Sequence, residues 1–109
     1  MASFDDREKS FEKRFAYDQE VLFKAQARRN KLLGLWAAGK MGLEGAAADD
    51  YAKSVVRADF EEAGDEDVIR KLKNDFEAKG VAQSDHQIRR TLEEMMAKAR
   101  DQVMKETKA

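Results

Sequence analysis

The sequence predicts an all-α fold, a small antiparallel four-helix bundle with a mobile N-terminal segment. Three observations lead there. Apolar residues recur at intervals of three, four and seven along most of the chain, which is the period of a helix face. No stretch of strict apolar–polar alternation marks a strand. Proline is absent, and single glycines at 39, 42, 64 and 80 fall between the periodic stretches, where helices end.

The first helix is expected over 3–38, with Phe4, Phe11, Phe15, Leu22, Ala25, Leu32, Leu33 and Trp36 on one face. Ser3 and Asp6 fit a capping pattern, Asp5 and Asp6 suit the positive end of the helix dipole, and Gly39 and Gly42 supply the stop. A second helix carries Ala48, Tyr51 and Val55, continues to Ala58 or Phe60, and ends near Gly64. Asp65 caps a third, with Glu66 and Asp67 in its first turn and Val68, Ile69, Leu72 and Phe76 as its buried stripe; Gly80 ends it. Ser84 and Gln87 form a capping box for a fourth, expected to about Lys105, with Ile88, Leu92, Met95, Ala99 and Val103 inward. Short turns between such helices make sequence neighbours antiparallel.

Length divides the chain in two. A helix over 3–38 would span about 54 Å at ~1.5 Å per residue, whereas a compact domain of this size is about 35 Å across. The fourth helix matches only the part of the first that starts at Gln19. The expected division is therefore an N-terminal segment over 1–18 and a bundle over 19–109. An isolated segment that short is marginally helical in water, so it is expected to be flexible when free. Its rings, Phe4, Phe11, Phe15 and Tyr17, either fold back to complete the core or fold as a helix into a partner's groove.

Composition narrows the function. Charged residues make up 39% of the 109, yet the net charge is only -1, which suits a solvated helical surface better than a polyanion-binding one. With no cysteine, disulfides and thiolate metal sites are excluded, and a reducing compartment is the natural setting. No apolar run approaches the ~18 residues that span a bilayer, and the N-terminus carries acids where a signal peptide would be apolar. A cytoplasmic protein without direct membrane insertion is expected, monomeric when free.

One motif points toward nucleotide chemistry. Gly34, Gly39 and Lys40 satisfy G-x-x-x-x-G-K, the phosphate-cradling loop, but Met41 stands where a magnesium-holding hydroxyl belongs. The loop also needs a preceding strand, and Leu35, Trp36, Ala37 and Ala38 continue a helix instead. Gly39 reads better as a helix terminator and Lys40 as a cation at the negative end of the dipole.

Other catalytic groupings are weaker still. His86 is the single histidine, in the first turn of the fourth helix beside Asp85, and reads as a solvent-facing or packing residue. Ser3, Ser10, Ser54 and Ser84 have no histidine nearby in sequence. The run Glu61, Glu62, Asp65, Glu66 and Asp67 lacks the spacing and central glycine of a calcium loop and reads as a solvated acidic face. No catalytic residue, cofactor or metal is expected.

The cluster Lys24, Arg28, Arg29 and Lys31 lies in a first stretch, 1–40, that holds nine basic and six acidic side chains, whereas 41–80 holds six and eleven. A nucleic-acid surface usually makes the whole domain basic, so a basic patch at Arg28 and Arg29 that meets an acidic protein surface is the expectation.

The stretch over 5–38 also combines Arg7-Glu8-Lys9, F-E-x-x-F-A from Phe11 and A-R-R-N-K-L-L-G-x-W-A from Ala27 in one order and spacing. It resembles the zeta subunit family of alphaproteobacterial F-type ATP synthases. The resemblance covers nearly the whole chain, including the capped third helix and the S-D-H-Q-I start of the fourth. One departure is visible, since family members commonly have histidine where this chain has Tyr17.

The resemblance implies a four-helix protein, not an enzyme, that blocks ATP hydrolysis. It does so by inserting its N-terminal segment at a catalytic interface of the synthase head, formed by alpha and beta subunits near the gamma stalk. It also implies peripheral association with the inner membrane through that complex. Within 1–18, ring size and spacing make Phe4, Phe11 and Phe15 candidate anchors, with Asp5, Asp6, Arg7, Glu8, Lys9 and Glu12 as candidate polar contacts. A helical adaptor using the same segment on a different partner is the alternative.

Overall fold

A computed structural model of the protein describes the backbone over 4–58 and 65–107 and the side chains over 19–58 and 65–106. Each periodic stretch becomes a helix: α1 (Phe4–Lys40), α2 (Gly45–Ala58), α3 (Glu66–Ala78) and α4 (Asp85–Thr107). The expected cap at Ser3 and the end of the second helix at Phe60 and Gly64 lie outside the described residues.

Helix ends follow local chemistry, with two corrections. Gly39 does not stop α1 but lies within its last turn, and Gly42, at φ 77°, takes the left-handed conformation that ends it. The Leu43 amide then donates to the Ala38 carbonyl at 2.8 Å and the Gly42 amide to Gly39 at 3.2 Å, satisfying carbonyls the helix would leave unpaired. Gly80 repeats this geometry after α3, with the Val81 amide on the Phe76 carbonyl at 2.9 Å. At the start of α4 the capping box forms in both directions: the Gln87 amide donates to Ser84 Oγ at 3.1 Å and the Ser84 amide to Gln87 Oε1 at 2.9 Å. Asp65 occupies the N-cap position of α3 but makes no side-chain cap bond. Its carboxylate is taken by Arg29 of α1 at 2.9 Å, and that ion pair outcompetes the cap.

The molecule is elongated, 65 × 26 × 21 Å, with α1 as its spine. α2 and α4 pack along α1, and α3 bridges them across one end. The main core draws on all four helices: Leu33 and Ala37, Val55, the stripe Val68, Ile69, Leu72 and Phe76, then Ile88 and Leu92. Trp36 packs edge-on against Phe76, ring centroids 5.7 Å apart. A second, smaller cluster joins Val21 and Ala25 to Val103, flanked by Met96. Val103 near the end of α4 thus meets the middle of α1, while Ile88 near its start joins Leu33 and Ala37, so α4 runs antiparallel to α1.

The buried stripe of α1 steps by four, Val21, Ala25, Arg29, Leu33 and Ala37, one position off the expected Leu22 and Leu32, which are half-buried. The offset follows from Arg29, a charged residue that the apolar pattern passed over.

Candidate functional site

The side chains proposed from sequence as partner contacts, Phe4, Asp5, Asp6, Arg7, Glu8, Lys9, Phe11, Glu12 and Phe15, lie outside the described residues. Their backbone belongs to α1, whose 37 residues exceed the 23 of the antiparallel α4.

Arg28 and Arg29 are adjacent but serve different ends. Arg28 is half-exposed and donates to both carboxylate oxygens of Glu106, at 2.8 and 2.9 Å, and to Gln102 at 2.9 Å, which fastens the C-terminal end of α4 to α1. The hydrogen bond from Arg28 holds the Glu106 carboxyl below the ordinary carboxylate range. Arg29 is only 3% exposed. Its Nε and Nη2 donate to the side-chain oxygen Oδ1 of Asn30 at 3.1 and 2.9 Å, and its Nη1 meets Asp65 at 2.9 Å. The fold therefore does not present Arg28 and Arg29 as one basic patch: Arg29 points inward and ties α1 to the start of α3.

The nucleotide-loop motif is dissolved by the fold. Positions 34–40 are helical throughout, so their amides bond along α1 rather than converging on an anion. Gly34 has a different use: a Cβ built there would lie 2.7 Å from the Ala52 Cα, so glycine sets how closely α1 and α2 approach. No local sequence pattern marks this contact, because the residues that Gly34 faces, Ala52 and Val55, lie on another helix.

Other polar contacts tie the helices together. Asp67 pairs with Arg70 at 3.3 Å, while its other oxygen is buried without a hydrogen-bond partner in the structure; the residue lies in the first turn of α3, where the helix dipole favours a negative charge. Arg89 donates to Glu66 at 2.8 and 2.9 Å and to Asp85 at 2.6 Å, joining the starts of α3 and α4. Tyr51 donates to Asp75 at 2.7 Å, and burial, reinforced by that bond, pushes its phenol well above its ordinary range, so it acts as a neutral tether. His86 is exposed. Among the described residues no cluster of acids and histidine has metal-holding geometry, and no helix is long and apolar enough to cross a membrane.

Comparison with known proteins completes the picture. No curated protein sequence matches the chain. A solution NMR structure shares 50% identity with it, covering 77% of this chain and 95% of that one, with a TM-score of 0.69. The model of the family described as ATPase inhibitor subunit zeta matches residues 1–102, a span that takes in the N-terminal segment, the main core and most of α4. With all four helices and that span matched, the chain belongs to the ATPase inhibitor subunit zeta family, whose members are regulatory rather than catalytic proteins.

Proposed function

We propose that this protein inhibits ATP hydrolysis by binding the catalytic head of an F-type ATP synthase and inserting residues 1–18 as a helix at a catalytic interface between alpha and beta subunits, near gamma. The observation that carries the reading is the family match, which begins at residue 1 and so includes the segment as part of the inhibitor pattern. The helical backbone of α1 from Phe4 supports it, because an element continuous with the bundle transmits the bundle's position to the inserted end.

In this reading the segment completes its ordering in the partner's cleft, and burial of Phe4, Phe11 and Phe15 offsets the entropy lost, at roughly 1.5 to 3 kcal/mol for each fully buried ring. The bundle over 19–109 is the anchor, and association with the ATP synthase sets where the protein works.

The test is ATP hydrolysis by the cognate head, depleted of its own inhibitor, with the full chain in one assay and a chain beginning at Gln19 in the other. Inhibition by the full chain alone is expected. Equal inhibition by both would move the effector into the bundle. Phe11→Ala is expected to weaken inhibition and leave thermal unfolding nearly unchanged; a large fall in melting temperature would show that Phe11 is core.

A further inference from the structure

α2 and α4 lie on either side of α1 with no close backbone approach to each other, and a groove over α1 remains between them. On the α1 side it is formed by Phe23, Ala27 and Lys31, one helical turn apart. On the α2 side Ala52 and Val56 give an apolar wall edged by Lys53 and Arg57. Two concavities share Lys31 and Val56 and so meet there.

Two features are not needed by the fold. Phe23 is 62% exposed, an apolar ring left in water beside the groove. Lys31, Lys53 and Arg57 are exposed, and among the described residues the structure records no ion pair for any of them. Of the acids on the rim, Glu106 is already held by Arg28, leaving Asp49 against three cations.

We propose that this groove docks an acidic amphipathic helix on the surface of the ATPase head, with apolar residues against Phe23, Ala27 and Val56 and carboxylates against Lys31, Lys53 and Arg57. The α1 spacing suits the ridge of a partner helix, and the charge selects an acidic one. A symmetric pair of copies meeting here would set the same cations against each other. A nucleic acid would leave the apolar strip unused. The docking helix gives the bundle a contact separate from segment 1–18; its assignment to the head rests on the inhibitor reading, whereas the groove's preference does not.

The test uses the full chain. A labelled peptide of about 18 residues, with Leu on one helical face and Glu on the other, is titrated by anisotropy beside a counterpart carrying Lys for Glu. The acidic peptide is expected to bind and the basic one not. Phe23→Ser and the double variant Lys31→Glu/Arg57→Glu should each weaken binding about tenfold or more, with melting temperature retained. Equal binding of both peptides, indifference to the variants, preference for a single-stranded RNA probe, or a dimer dissolved by Phe23→Ser would overturn the proposal. The double variant should lose affinity for the ATPase head in parallel; unchanged head affinity would overturn the assignment to the head. A wild-type chain that does not bind the head would sink the inhibitor reading while the peptide titration still decides the groove.

Discussion

Around Leu33 and Ala37, α1 is enclosed by α2, α3 and α4, and the core there includes Phe76, Leu72 and Ile88, all essentially without exposure. Nearer its N-terminus, around Val21 and Ala25, α1 is covered by α4 through Val103 and Met96, and the Arg28–Glu106 pair closes that end at the surface. One helix thus runs from a thick core into a thin one. Opening free energy follows buried apolar contact, so the thin end should open more readily than the thick end. The proposed inhibitory segment joins the bundle at that thin end, where local opening can adjust its direction without unfolding the rest.

The largest effects should come from the thick core. Leu72→Ala is expected to cost about 2 to 5 kcal/mol, with inhibition lost only through unfolding. Val103→Ala in the thin core should cost less, about 1.5 kcal/mol. Denaturant titration of both variants measures the gap, and equal losses would erase the distinction between the two ends.

Next in size is a pair of glycines on one helix. Gly34→Ala drives a Cβ to within 2.7 Å of the Ala52 backbone, so α1 and α2 must separate, at about 1 to 3 kcal/mol. Gly39→Ala meets nothing within 4 Å and replaces a helical glycine, so it should stabilise by about 0.5 to 1 kcal/mol. Opposite signs in thermal unfolding would confirm that close approach sets the α1–α2 packing; equal signs would refute it.

These same residues show what the sequence could disclose. The α3 stripe and the Ser84–Gln87 box were legible because each rests on local spacing alone. Arg29 was not, because its burial depends on an acid far along the chain, Asp65, whose expected role was a cap. Gly34 was legible only as part of a motif it does not serve, since its reason is the Cα of a residue on another helix. The groove was missed for a related reason: Phe23 and Arg57 belong to different helices, and only packing places them along one surface. The basic cluster read from adjacency failed to foresee that consecutive helical positions point about 100° apart, so that Arg28 faces α4 while Arg29 faces inward.

The smallest expected effect is electrostatic, and it compares the two ends again. At the thick end, hydrogen bonds from Arg89 hold Glu66 and Asp85 below the ordinary carboxylate range, and at the thin end Arg28 does the same to Glu106. A carboxyl whose folded pKa is depressed adds stability above its unfolded pKa, near ~4, and loses it as the pH falls through the folded value. Stability should therefore decline in acid, modestly, because these groups are exposed and screened by salt. Arg89→Ala should flatten the part of that decline owed to Glu66 and Asp85. Glu106→Gln should leave global unfolding almost unaltered at neutral pH but speed amide exchange over 19–28, since Arg28 would lose its bidentate partner where little core supports α1. Exchange that quickened equally around Leu33 would show the two ends to be one cooperative unit.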